Sequence, residues 1–233
     1  AQRRVIMYLH GGGFKMGSPV SHHDYMAHLS QACDATVFAV DYRLVPEHRF
    51  PAALEDCIAS YKWLLDSGVA AENISIAGDS AGGCLVAAML LSLRDSNVPL
   101  PASGVMLSAL TDLTVSGESY DTRSDADPIH QRVLIQALAK SYLQKEQDLT
   151  DPLVSPLFAD LAGLPPLLLQ VGDRETGLSD TVDFAAKAKA AGVETELSVW
   201  PEMIHFFQQF TQELTESAEA TAEIATFVKR HWS

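Results

Sequence analysis

The run Gly78-Asp79-Ser80-Ala81-Gly82-Gly83 sets a serine between glycines two residues away on either side. The apolar run Ile74 to Ala77 precedes it and the apolar stretch Ala81 to Arg94 follows. A strand passing at once into a helix is the setting in which a serine hydroxyl is lifted onto a sharp turn and used as a nucleophile. The flanking glycines remove side chains that would collide there. The free N–H groups and dipole of the helix start favour negative charge beside the hydroxyl. A glycine-rich turn with an incidental serine is the plain alternative, but the strand before and the helix after put the nucleophile ahead.

A second run, His10-Gly11-Gly12-Gly13-Phe14, follows the apolar run Val5 to Leu9. Three consecutive glycines cost conformational entropy, so the backbone there must approach something closely. The N–H groups of Gly12 and Gly13, together with that of Ala81, are candidates to hold a developing oxyanion, each such donor being worth about 2.7–4 kcal/mol in a transition state. A phosphate cradle is rejected, because neither Lys-Ser/Thr nor GxGxxG accompanies the glycines. His10 reads as a brace for this loop rather than a proton carrier.

A serine nucleophile needs a base, and an acid to orient it, in the chain order Ser, acid, His. Of eight histidines, His205 stands just past the last apolar run, Thr195 to Trp200, at the edge where the serine also sits. His22, His23, His28, His48, His130 and His231 read as residues of helices, loops or the C-terminal tail. The acid should follow Leu167 to Val171, where Asp173, Glu175 and Asp180 compete. It must hold the imidazole in one tautomer and stabilise the imidazolium.

The elements that carry these residues alternate along the chain. Val5–Leu9, Thr36–Val40, Ile74–Ala77, Val105–Ser108, Leu167–Val171 and Thr195–Trp200 read as buried strands. Between them lie helical patterns. In Ala52–Asp66, the residues Leu54, Ile58, Tyr61 and Leu65 share a face; Ser179–Ala191 stops at Gly192. A last helix from about Glu213 to His231 turns Leu214, Ala218, Ala225 and Val228 inward. Strand-helix alternation predicts an α/β fold, a mostly parallel sheet with helices on both faces and functional groups at the carboxyl ends of the strands. Leu113 to Pro156 breaks the pattern: a polar loop leads to one isolated helix over about Gln131–Leu143, a lid over a site or a plain surface excursion.

Size and charge narrow the field. A chain of 233 residues suits one α/β domain with a single core. The longest nearly apolar stretch, Leu85 to Leu93, is about half the length of a membrane-spanning helix. Sixteen basic against thirty acidic residues give a net charge of −14, which repels phosphate backbones and argues against nucleic acid as a partner. Cys33, Cys57 and Cys84 are odd in number and widely spaced, without a Cys/His pair for a metal, and suggest a reducing cytoplasmic setting. Ala1 opens almost directly into a strand, so an N-terminal segment is expected to be missing.

With these motifs in order, the chain resembles the hormone-sensitive lipase family of microbial carboxylesterases. The resemblance is carried by HGGGF, DYRLVPEHRFPAALED, GDSAGG, the GDRE segment and the WPEMIHFF segment, and runs from about Val5 to the C-terminus. It implies an α/β-hydrolase fold and a triad of Ser80, Glu175 and His205. Glu175 stands thirty residues before His205, where the family carries its triad acid. Two departures are a glutamate where many relatives have aspartate, and Gly177 in place of a leucine. The family's two N-terminal strands and cap helices would be absent, leaving residues 113–156 as the remaining cap on a single domain spanning 1–233. Phe14, Tyr42 and Phe206 are pocket or core residues. The implied reaction is hydrolysis of short-chain acyl esters through an acyl-serine, without metal or organic cofactor. A lactone hydrolase using the same triad, and a ligand-binding protein on a hydrolase scaffold that has lost catalysis, are the alternatives. A homodimer is left open.

Overall fold

The computed structural model describes residues 3–144 and 148–233; positions 1–2 and 145–147, the latter inside the expected insertion, lie outside that description. Elements follow in the order β1 (Val5–Leu9), α1 (His23–Cys33), β2 (Thr36–Val40), α2 (Ala52–Asp66), β3 (Ile74–Asp79), α3 (Ala81–Asp95), β4 (Ser103–Leu107), α4 (Ser119–Thr122), α5 (Arg132–Tyr142), β5 (Leu167–Gly172), α6 (Leu178–Ala190), β6 (Thr195–Trp200) and α7 (Thr215–His231). Among the described residues the six strands are all parallel, in the order β2-β1-β3-β4-β5-β6. This is the α/β-hydrolase arrangement.

The continuous apolar strands follow from a sheet covered on both faces, because alternate residues point to opposite sides and both sides are core. Val5, Met7 and Leu9 of β1 join the core under α2, α3 and α6, with Leu54, Tyr61, Leu85 and Phe184. Ile6 and Tyr8 join the opposite core under α1 and α7, with Tyr25, Leu29, Ile224 and Val228. The helix α3 is apolar nearly all round because it is buried nearly all round, from Ala81 to Leu91. Among the described residues, no helix is long and apolar enough to cross a membrane.

Four details differ from the sequence reading. The strands β2 and β6 are half-buried rather than buried, because each is an edge of the sheet with a neighbouring strand on one side only. In α7 the buried face is Ser217, Ala220, Thr221, Ile224, Ala225, Phe227 and Val228; Ala218 is exposed and Leu214 precedes the helix. The small residues Ser217, Ala220 and Thr221 let the helix lie close to its neighbours, so burial there does not track hydropathy. The insertion holds the short helix α4 as well as α5. Its α5 is packed down rather than isolated, with Leu138 against Gly13 and Tyr142 stacked on Phe14 at 3.8 Å between ring centres.

From β1 the chain crosses to β2 on one side, and from β3 to β4 on the other. The loops after β1 and β3 therefore diverge between two adjacent strands, which opens a crevice at their carboxyl ends. Register aligns Leu9 with Gly78, so the glycine loop stands opposite Asp79 and Ser80.

Candidate active site

The turn after β3 is tight. Ser80 has φ 54° and ψ −120°, a conformation a side chain adopts only at a cost of roughly 1–3 kcal/mol. Its N–H donates to Leu107 O at 2.8 Å and its carbonyl accepts from Cys84 N at 3.1 Å, so the neighbouring strand and the first turn of α3 hold the strain. The glycines are required by space. A Cβ on Gly78 would lie 2.6 Å from Gly82 O, and one on Gly82 would lie 1.9 Å from Leu9 O.

Asp79 links this turn to the glycine loop. Its Oδ1 accepts from Tyr8 OH at 2.8 Å and from Gly11 N at 2.9 Å, with His22 Nε2 at 3.5 Å. A Cβ on Gly11 would stand 2.0 Å from Asp79 Oδ2. Gly12 and Gly13 have φ of 118° and 62°, the region glycine enters most cheaply. Among the described residues, the N–H groups of Gly12, Gly13 and Ala81 donate to no protein acceptor. His10 stacks on Tyr42 with ring centres 4.2 Å apart, and its Nδ1 lies 2.7 Å from Gly11 O. Burial lowers its pKa, so it braces the loop as a neutral ring.

The loops after β5 and β6 bring Glu175 and His205 together. His205 Nδ1 lies 2.9 Å from Glu175 Oε2, with both side chains buried. Glu175 Oε1 accepts from Gly172 N at 2.6 Å and from Ser108 Oγ at 2.7 Å. Ser108, just past β4, also accepts from Phe206 N at 3.1 Å, so one hydroxyl ties together the ends of three strands. With both hydrogen bonds at Oε1 donated to it, Glu175 acts as an acceptor throughout, so His205 Nδ1–H donates to Oε2 and Nε2 is left as an acceptor. The other two carboxylates are elsewhere. Asp173 Oδ1 accepts from Glu202 N at 2.8 Å. Asp180 is fully buried on α6, where Oδ2 accepts from Asp112 N and Tyr120 OH; burial and the neighbouring Asp112 raise its pKa well above the carboxylate range. Among the described residues, neither meets a histidine.

The profile of the α/β-hydrolase fold family matches residues 6–209. An acetyl-hydrolase of Streptomyces hygroscopicus is 39% identical over 226 residues, 97% of this chain and 75% of that protein. An esterase of Acinetobacter venetianus is 37% identical over 96% of this chain and 74% of its own. The crystal structure of an esterase of the bacterial hormone-sensitive lipase family superposes with a TM-score of 0.97 at 43% identity, covering 100% of this chain and 78% of the other. The chain belongs to the hormone-sensitive lipase family.

Within this family member, Phe206 lines a cavity of about 440 Å³ with Gly12, Met16, His22 and Tyr25, beside the glycine loop. Phe14 and Tyr42 are core, stacked on Tyr142 and His10. Among the described residues, no three His, Cys, Asp or Glu side chains gather as metal ligands. Sequence reasoning passed over three groups that touch the site. Ser108 and Asp79 sit inside or beside recognised strands, but nothing in their spacing tells which carboxylate or loop they bind. His130, grouped with the histidines of helices, loops and the tail, packs on His205. Only the Asp127-Pro128 pair before it hints at an ordered turn.

Proposed function

We propose that this chain is a serine carboxylesterase with Ser80 as nucleophile, His205 as general base and acid, and Glu175 as the group that orients the imidazole. The observation that carries the reading is the buried Glu175–His205 pair at 2.9 Å, on the strand edge that also presents the Ser80 turn. In the first step His205 Nε2 takes the Ser80 proton as Oγ attacks the ester carbonyl. The Gly12, Gly13 and Ala81 amides face the oxyanion, and each such donor contributes about 2.7–4 kcal/mol. The imidazolium then gives its proton to the leaving alcohol. Water, activated by the same nitrogen, releases the acid from the acyl-serine.

Short-chain acyl esters are the substrates of this reading, and residues 113–156 form its cap. The esterase and acetyl-hydrolase relatives support the chemistry, and the leucine of α5 set on Gly13 supports the cap. A reducing, cytoplasmic setting is supported by three free, buried cysteines. The test is hydrolysis of p-nitrophenyl butyrate by the protein and by folded Ser80→Ala. The parent is expected to turn over and the variant to lose activity by at least about 10³-fold. Retained activity in the variant, or none in a folded parent, refutes it.

A further inference from the structure

His130 lies in the insertion just before α5, 75 residues from His205, yet the two rings meet with centres 3.8 Å apart and planes 48° apart. Its loop is clamped by one carboxylate. Asp127 Oδ1 accepts from the N–H groups of Ile129 at 2.8 Å and His130 at 2.9 Å. Asp127 Oδ2 accepts from Thr176 N at 2.8 Å and Thr176 Oγ1 at 3.1 Å, and Thr176 is the residue after Glu175. The insertion and the acid-bearing loop are thus joined through a buried group beside the Glu175–His205 pair. His130 Nδ1 is buried without a partner among the described residues, so the ring is held by packing and by its backbone.

We propose that His130 is a positioning residue of the catalytic centre: its ring covers one face of His205, fixes the plane of that imidazole and keeps water from it. The inference rests on the reading of Ser80, Glu175 and His205 as a triad. Burial, with the nearby His205 next and only partly opposed by Asp127, lowers the His130 pKa to about 3. The covering ring is therefore neutral at working pH and does not repel an imidazolium. A small error in the angle of His205 moves Nε2 away from Ser80, and misplacement by about 1 Å can cost about 10²-fold.

The test compares the parent with His130→Ala, His130→Phe and Ser80→Ala, each checked for folding by circular dichroism. Hydrolysis of p-nitrophenyl butyrate is followed from pH 5 to 9. His130→Ala is expected to lower kcat by about tenfold or more with KM little changed. Its kcat/KM should fall together with kcat across that pH range. His130→Phe, which restores a ring face, should stay within about threefold of the parent. If His130→Ala does not fold, His130→Asn is read in its place. An unchanged kcat on loss of the ring overturns the proposal, as does equal damage from phenylalanine. An inactive parent, or an active Ser80→Ala, overturns the triad reading and this proposal with it; an inactive Ser80→Ala beside an unaffected His130→Ala removes only the latter.

Discussion

Glu175→Gln separates the acid's geometry from its bulk. In the folded protein Glu175 Oε1 receives two hydrogen bonds, from Gly172 N at 2.6 Å and Ser108 Oγ at 2.7 Å. A backbone N–H can only donate, so the oxygen of a glutamine amide must take the Oε1 place. Its NH2 group then faces His205 Nδ1 at the Oε2 position, now 2.9 Å from the ring nitrogen. Nδ1 becomes the acceptor, the ring proton moves to Nε2, and the nitrogen nearest the nucleophile can no longer take a proton. A triad held in the wrong tautomer loses about 10⁴-fold in kcat, about 5.4 kcal/mol at 1.36 kcal/mol per factor of ten. Stability should change little, because both donors to Oε1 keep an acceptor. The assay is kcat for p-nitrophenyl butyrate, with Asp173→Asn and Asp180→Asn alongside and melting temperatures for all. Asp173→Asn and Asp180→Asn should stay within about threefold of the parent, since neither carboxylate reaches a histidine and loss of an acid outside the triad changes no tautomer. A Glu175→Gln protein within tenfold of the parent, or a collapse of activity in Asp180→Asn instead, would rule out Glu175 as the residue that sets the His205 tautomer.

Three further outcomes are expected. Gly82→Ala drives a Cβ to 1.9 Å from Leu9 O, a backbone atom that cannot swing aside, so α3 must shift off the end of β1. Overpacking of this kind costs about 1–3 kcal/mol, a fall of roughly 2–12 °C in Tm, with loss of activity. Gly192→Ala, where φ is 80° and nothing lies within 4 Å, should cost only about 1–2 kcal/mol of backbone strain and leave kcat alone. Acid should weaken the fold through His130, whose folded pKa of about 3 lies below the ordinary value of 6.5. Between those values the unfolded chain binds more protons than the folded one, so stability falls as pH drops below 6.5, by roughly 2 kcal/mol from this residue at pH 5. Urea midpoints at pH 7 and pH 5 measure it; His130→Phe should show a shallower fall, and an equal fall in both proteins counts against the neutral buried ring.

The framework is legible in the amino-acid order alone. The apolar runs such as VIMYL, with no polar alternation, required strands covered on both faces, and the glycines of GDSAGG and HGGG marked the turns where a Cβ cannot fit. These are local signals, set by steric and hydrophobic rules that act within a few residues. The α7 face escaped them because close packing there selects small residues over apolar ones. The meetings between distant segments become visible only in the folded chain. Asp173, Glu175 and Asp180 share one short stretch, and which of them faces His205 depends on how the β5 and β6 loops lie over Ser108. Asp79 reaches back 68 residues to Gly11, and His130 crosses from the insertion to His205. Such contacts follow from strand order and register: side chains far apart in the chain meet only because β1, β3, β4, β5 and β6 end along one edge.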